Sequence, residues 1–388
     1  MHSGFWIKRA LTIKMLLCLC LLHVGSLVAQ LSPIRVHING GIDTANADIA
    51  EVIQLWKHYL NSKPDSVYDN PYWLGAEKKR YAGKFDLLNS TYYSPSLYAY
   101  LPYWRATIMS VSRIDSGFAI RTVLAFTDSG FSHPECITEV GAVKEDGAYK
   151  LCNMLPINTR VWKKEKVGSI SFIFPNGHEF DRTLALRLNS FVDSLTGLWS
   201  IRPFDVDYYL AENLDILYKA LGFDYHIGEG NLRGASGSSD ARNRIVYGAG
   251  QNEYYPHEFV HIYMSPLNLN SHGWFSEGYA TLLGGSKGHE LSWHLKRADQ
   301  YLREHPQLNL DTVLAFWHMD YYTDPIYVFG GLLCKMADEQ GGLPLLKRLM
   351  SYGKSDADFY RAVQAVFGVP QKSLNNFLRR KIAEYAAK

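Results

Sequence analysis

The sequence predicts an α+β protein of two domains that follow an export signal. Its 388 residues suit about two domains of ~100–200 residues each. The first part has one amphipathic segment and then several alternating ones, whereas the second mixes strand and helix patterns before becoming helical throughout. A sheet followed by a helical bundle is α+β architecture. Hydrophobic residues make up 47% and charged residues 20% of the chain, which suits a globular protein with a core.

Residues 1–29 have the pattern of a secretory signal peptide. Lys8, Arg9 and Lys14 precede the apolar run MLLCLCLL, and Ala29 stands before a plausible cleavage point. The run is shorter than the ~20 residues that a membrane-spanning helix needs, so cleavage is favoured over an anchor. We therefore expect a periplasmic, extracellular or cell-surface protein with no transmembrane segment after signal removal.

Charge and cysteine content limit the classes of partner. The signal holds three of the 40 basic residues and none of the 38 acidic ones, so the remaining chain is close to neutral. It has no basic run, and nucleic acid is therefore not an expected partner. Cys136, Cys152 and Cys334 remain, and an odd number is not a disulfide framework. Whether Cys136 and Cys152 pair across a predicted hairpin stays open, as does the oligomeric state.

Residues 30–160 are predicted to form a small domain of one helix and an antiparallel sheet. The segment TANADIAEVIQLWKHYLNS, residues 44–62, places its apolar residues on one helical face. The segments RATIMSVSRI, AIRTVLAFTD and CITEVGAVKEDGAYKLCNM alternate and are separated by DSG and EDG turns. This order of elements resembles the cystatin-like and nuclear-transport-factor-like folds.

Residues 161–388 are predicted to form the second domain. GSISFIFP, FDVDYYLAEN and RNRIVYGAG have strand patterns, and NLRGASGSSDARN has the composition of a flexible Gly/Ser-rich loop. We expect RNRIVYGAG at an edge of the sheet, where it would offer its backbone to an extended peptide. Helical patterns cover residues 177–199, 214–223, 274–285, 289–304, 325–341, 343–352, 356–366 and 371–387.

The segment HEFVH carries a metal-site pattern. His257 and His261 are four residues apart, so on a helix they share one face and can bind one metal ion. Glu258 lies about 100° around the helix from His257, where it reaches a metal-activated water as a base without being a ligand. The alternative is an ordinary helix with two partly buried histidines.

A catalytic zinc site needs a third protein ligand and an open fourth position. Glu277 lies downstream in GWFSEGYAT, within a second predicted helix. Packing of this helix against the first would direct Glu277 at the same metal ion.

Together, HEFVH and WFSEGYAT are similar to the gluzincin metallopeptidases, especially the aminopeptidase-N-like group with its HExxH…WLNEGFAT pattern, within the wider peptidase MA-like set. The resemblance implies a thermolysin-like fold for residues 161–388. It also implies one Zn²⁺ per chain held by His257, His261 and Glu277, with Glu258 as general base.

The same resemblance implies roles for two further residues. The family's oxyanion-stabilising tyrosine lies in a Y-x-x-G segment, which IYVFGG matches at Tyr327. Tyr321 and Tyr322 compete for this role but lack the following glycine that allows close helix packing. Thr281 matches the threonine of the second motif and is expected to support the ligands.

The expected function is an exported zinc-dependent peptidase that hydrolyses bonds in a peptide or protein substrate. The 15 residues between His261 and Glu277 are fewer than in the aminopeptidases, and no Gly-x-Met-Glu-Asn segment is present to hold a substrate's free amine. Endopeptidase and aminopeptidase action therefore both stay open. The alternatives are a non-catalytic extracytoplasmic binding or scaffold protein with a retained zinc site, and a purely structural zinc.

Overall fold

The computed structural model describes residues 34–62, 71–81, 105–226 and 236–388. The predicted signal, residues 1–29, lies outside the described residues, and so do residues 231–235 of the predicted Gly/Ser-rich loop. The described chain forms two compact units, one comprising residues 34–75 and 105–152 and the other residues 76–81 and 153 onwards. The architecture is α+β, as predicted. No helix within the described ranges has the length and apolar character to cross a bilayer.

The first unit packs one long helix on a sheet. The elements up to residue 152 are β1 (Val36–Ile38), α1 (Ala47–Leu60), α2 (Gly75–Arg80), β2 (Arg105–Ile114), β3 (Gly117–Asp128), β4 (Phe131–Glu145) and β5 (Ala148–Cys152). Of these, α2 belongs, apart from Gly75, to the second unit. These strands follow the order β1-β2-β3-β4-β5, with β1 parallel to β2 and the later pairs antiparallel. Trp56 of α1 donates a hydrogen bond from Nε1 to Oγ1 of Thr122 on β3 at 2.9 Å, which fixes the helix on the sheet.

Helix α1 and strands β2 to β5 lie where the sequence patterns predict them. Cys136 and Cys152 are both buried and no disulfide joins them, so the pairing that the sequence left open is not formed. The likeness to the cystatin-like and nuclear-transport-factor-like folds stays a prediction.

The second unit contains a mixed sheet and a helical bundle. Its elements are α3 (Leu155–Asn158), β6 (Lys163–Val167), β7 (Ile170–Phe174), α4 (Arg182–Trp199), β8 (Val206–Ala211), α5 (Leu214–Leu221), β9 (Phe223–His226), β10 (Ser236–Asp240), β11 (Ile245–Ala249), α6 (Pro256–Met264), α7 (Gly273–Gly284), α8 (Leu291–Glu304), α9 (Pro325–Leu349), α10 (Asp356–Phe367) and α11 (Leu374–Ala386). Helix α9 joins the two helices predicted at 325–341 and 343–352, and it kinks at Gly342, where φ is 60°.

The order of strands in this sheet corrects two predictions. The order is β10-β11-β8-β7-β6, so β11, which was predicted as an edge strand, is an inner strand, and β10 occupies the edge. Strand β10 comes from the segment predicted as a Gly/Ser-rich loop. It pairs antiparallel with β11 from Ser236↔Ala249 to Asp240↔Ile245, and this pairing overrides the low strand propensity of serine and glycine. All five residues of β11 are buried, as expected of a strand covered on both faces.

One apolar core joins this sheet to the helices. It contains large buried side chains from the inner strands, from α6 and from α9, including Tyr208, Phe259 and Phe329. The core therefore packs along one side of α6 and determines which face of this helix points away from it.

Candidate metal centre

Helix α6 places two histidines on one face. Pro256 stands at its first turn, where a residue without an N–H donor is tolerated and its fixed φ suits the helix. Phe259 and Val260 are fully buried in the core. His257 and His261 project from a different face, and their ring centroids are 5.1 Å apart.

Helix α7 brings Glu277 to these histidines. It begins after His272, whose Nδ1 accepts a hydrogen bond from the backbone N–H of Trp274 at 3.3 Å. His272 is buried and lies 3.5 Å from Asp356. It therefore caps the helix that carries Glu277 and is not one of the grouped metal-ligand candidates.

Two glycines lock α7 between its neighbours. A Cβ added at Gly284 would lie 2.7 Å from the backbone nitrogen of His257, and one added at Gly278 would lie 2.1 Å from the carbonyl carbon of Gly330. Both distances are shorter than real Cβ contacts, so α7 touches α6 and α9 backbone to backbone. Glu277 precedes Gly278 directly, and Tyr327 lies three residues before Gly330. The helix contacts thus position both side chains.

The potential ligand atoms converge at metal-site distances. His257 Nε2 lies 3.3 Å from Oε2 of Glu277 and 3.4 Å from His261 Nε2, and His261 Nε2 lies 3.4 Å from Oε1 of Glu277. Among the described residues, these three form the group that could hold a metal ion. Ligand atoms about 2.0–2.1 Å from a tetrahedral zinc are about 3.3–3.4 Å from one another. Each histidine Nε2 faces a different oxygen of Glu277, and the donor set of two imidazoles and a carboxylate fits zinc.

A backbone carbonyl orients the first histidine. His257 Nδ1 lies 2.6 Å from the carbonyl oxygen of Gly285, and a carbonyl only accepts, so Nδ1 carries the proton. In the neutral ring, Nε2 then has a lone pair directed at the other two groups. Three electron-rich atoms so close together need a cation between them, either a proton or a metal ion.

The electrostatics of the cluster favour such a cation. Burial alone would favour protonated Glu277, but the neighbouring His257 and His261 rings outweigh it and hold the pKa of Glu277 well below its usual range. Burial likewise favours a neutral His261 ring, but the carboxylates of Glu277 and Glu258 prevail and raise its pKa. The site therefore keeps an ionised carboxylate and stabilises positive charge beside it.

Glu258 lies beside the cluster, next to a tyrosine that the sequence analysis did not single out. The carboxylate is buried, and its Oε1 accepts a hydrogen bond from the hydroxyl of Tyr255 at 3.3 Å. The only sequence signal for Tyr255 was its place two residues before His257, which does not reveal where the ring points.

Tyr327 reaches the same site from α9. Its ring centroid is 5.9 Å from that of His257, in an edge-to-face arrangement. Burial, followed by the negative charge of Glu277, raises the pKa of Tyr327 well above its usual value, so the phenol stays a hydrogen-bond donor into the alkaline range. Its rivals Tyr321 and Tyr322 are exposed, with Tyr322 packed edge-on against Trp293.

Two other residues near the motifs have structural partners. Thr281 donates a hydrogen bond from its hydroxyl to the backbone carbonyl of Glu277 at 2.9 Å, which stabilises the turn that carries this carboxylate.

Glu253 is 2% exposed and its Oε1 lies 2.7 Å from His178 Nε2. The same oxygen accepts a hydrogen bond from the backbone N–H of Asp181 at 3.1 Å. Glu253 is therefore occupied within the fold.

No protein-family model matches the chain, and no curated protein matches it. Similar solved structures include an M1 zinc metallopeptidase from Deinococcus radiodurans, with 12% identity, a TM-score of 0.28 and coverage of 73% of this chain and 62% of that chain. A glutamate-to-alanine mutant of an M1 zinc metallopeptidase from the same organism has 11% identity, a TM-score of 0.28 and coverage of 73% and 63%. This chain covers less than two thirds of the length of either. At these TM-scores and identities the likeness does not indicate what this chain does.

Proposed function

We propose that this protein is a zinc-dependent peptidase. The observation that carries the proposal is the convergence of His257, His261 and Glu277 within 3.3–3.4 Å of one another, with Glu258 beside them. When bound, zinc would act as a Lewis acid that makes water nucleophilic near neutral pH and polarises a peptide carbonyl.

The protein's own groups would move the protons. The Glu258 carboxylate accepts a proton from the attacking water and then delivers it to the leaving amine, as a general base followed by a general acid. Tyr327, which burial and the charge of Glu277 keep protonated into the alkaline range, donates a hydrogen bond to the developing oxyanion. Both groups are partly or fully buried, which limits competition from bulk water.

A peptide substrate fits the edge of the sheet. Within the described residues β10 is the last strand on its side of the sheet, and its Gly237 lies against Tyr255, the neighbour of Glu258. An extended peptide can add to such an edge through backbone hydrogen bonds. Because Glu253 is engaged by His178 and Asp181, it does not serve as an anchor for a free amine. We therefore favour cleavage within a chain over removal of its first residue.

The proposal extends to location. The basic, apolar and small-residue order of residues 1–29 supports export with signal cleavage. Peptides or proteins outside the cytoplasm would then be the substrates, and nucleic acid would not be a partner.

The test combines metal content with cleavage of a peptide library. We expect one zinc per chain by elemental analysis, loss of zinc in His261→Ala, and retained zinc in Glu258→Gln. General acid–base catalysis contributes about 10²–10⁴-fold, so Glu258→Gln should lower kcat by that factor. Glu179→Gln is the charge-matched control, because Glu179 is exposed on the surface.

Two outcomes would overturn the proposal. Folded wild-type protein with full zinc occupancy that cleaves no peptide in a broad library contradicts peptidase activity. If wild type and Glu258→Gln then capture the same intact partner, the protein is a binding module with a retained zinc site.

A further inference from the structure

Tyr255 contacts both the general base Glu258 and the edge strand β10. It stands immediately before α6, but its side chain makes no capping hydrogen bond to that helix. Its hydroxyl instead donates to Oε1 of Glu258 at 3.3 Å. The side chain is thus committed to the carboxylate rather than to the helix terminus.

The ring of Tyr255 is seated on the edge strand. A Cβ added at Gly237 of β10 would lie 2.2 Å from Cε1 of Tyr255 and 2.7 Å from its hydroxyl oxygen. Gly237 is not among the residues with positive φ, so its backbone conformation does not require glycine. The glycine is needed for space, because any side chain there would displace the ring from Glu258.

The carboxylate needs such a partner. Glu258 is 7% exposed, and a buried carboxylate is unfavourable unless it is hydrogen-bonded. A hydrogen bond to one oxygen restricts rotation of the group and leaves the other oxygen directed elsewhere. The oxygen of a base must lie about 2.6–3.2 Å from the atom whose proton it takes, so its orientation matters as much as its presence.

We propose that Tyr255 is a positioning residue that holds Glu258 in the orientation for proton transfer, with Gly237 as the seat of its ring. The inference rests on the proposed peptidase function. It assigns the phenol no contact with the metal ion and no proton transfer of its own. It also links β10 to Glu258, so that the general base stays at a fixed position relative to the strand edge that is proposed to bind the peptide.

A double-mutant cycle tests the contact without relying on activity. The unfolding equilibrium constant of the full chain is measured in urea at one fixed zinc concentration for wild type, Tyr255→Phe, Glu258→Gln and the double variant. Loss of a hydrogen bond to a charged group should raise the constant about tenfold or more in the wild-type background. The same change should have a much smaller effect in the Glu258→Gln background. Additive effects would overturn the inference.

Kinetics test the positioning role. We expect Tyr255→Phe to lower kcat about 10-fold to 100-fold, with KM and zinc stoichiometry unchanged. Gly237→Ala should also lower kcat, but it should lower kcat no further in the Tyr255→Phe background. Tyr254→Phe is the matched control, because that ring packs under the Arg187 guanidinium at 3.9 Å. A change confined to KM would overturn the inference, since the phenol would then contact substrate.

The two sets of measurements separate the two claims. A coupled cycle in a zinc-loaded protein that cleaves nothing would overturn the peptidase function but leave the contact between Tyr255 and Glu258 established. An additive cycle in an active enzyme would overturn the positioning role and leave the peptidase function standing.

Discussion

Removal of the Glu277 carboxylate tests whether the cluster is a three-ligand site. Its two oxygens lie 3.3 and 3.4 Å from the Nε2 atoms of His257 and His261. In Glu277→Ala the histidines stay in place, because α6 is held by the core and His257 Nδ1 still donates to Gly285. The variant therefore removes one ligand and one negative charge while the other two donors keep their geometry.

The expected loss of zinc affinity follows from the contribution of one ligand to the binding free energy. Four-ligand zinc binding in zinc-finger peptides amounts to about 10–16 kcal/mol, so one ligand accounts for about 2.5–4 kcal/mol, or about 10²–10³ in Kd. Glu277→Gln keeps an oxygen donor but loses the charge, and we expect it to fall between wild type and Glu277→Ala.

Competition with a chromophoric chelator measures zinc Kd directly. Ser276→Ala is the matched control, since Ser276 lies on the same helix and is not part of the metal-ligand group. A Kd for Glu277→Ala equal to that of wild type would refute the three-ligand site and leave two histidines on a helix. Equal weakening by Ser276→Ala would show that α7 itself had shifted.

Two further predictions concern the scaffold and its response to pH. Gly278→Ala places a Cβ 2.1 Å from the Gly330 backbone, so urea unfolding should show that the free energy of unfolding falls by at least about 1–3 kcal/mol. Gly197→Ala is the control, because a Cβ there has nothing within 4 Å. It should stabilise α4 by about 0.5–1 kcal/mol. Equal effects would contradict the close helix contact. Burial lowers the pKa of His294, so the folded state keeps the ring neutral and stability falls as the pH drops below the ordinary value of about 6.5. The urea midpoint is measured above and below that pH, and the difference should be smaller in His294→Asn than in wild type. An equal difference would contradict His294 as a source of the pH dependence.

Local patterns predicted the elements, but not how they neighbour one another. The alternation in RATIMSVSRI and the periodicity of residues 44–62 act within a few residues, and β2 and α1 form there. Strand β10 has the sequence SGSSD, which local propensity assigns to a loop, and it becomes a strand because β11 lies beside it. The same long-range pairing moves β11 from the predicted edge to the interior.

In the metal-ligand group too, the sequence predicts the local spacing but not the contacts between distant elements. The spacing of His257 and His261 is a property of one helix and is visible in the sequence. Whether Glu277 meets them depends on α7, and the sequence contains that information only as glycines whose partners are far along the chain. Tyr255 is harder still to find, because its direction depends on the space that Gly237 leaves on another strand.

Because of the glycine contacts, Glu258 should respond to different substitutions than Glu277 and Tyr327 do. Gly278 and Gly330 fix the distance between α7 and α9, so a side chain at either position shifts Glu277 and Tyr327 together. Glu258 depends instead on α6 and on the seat of Tyr255 at Gly237. A change at the helix contact should therefore impair zinc affinity and cleavage in parallel, whereas a change at the strand edge should impair cleavage while zinc stays bound. Loss of zinc in Gly237→Ala would contradict this separation.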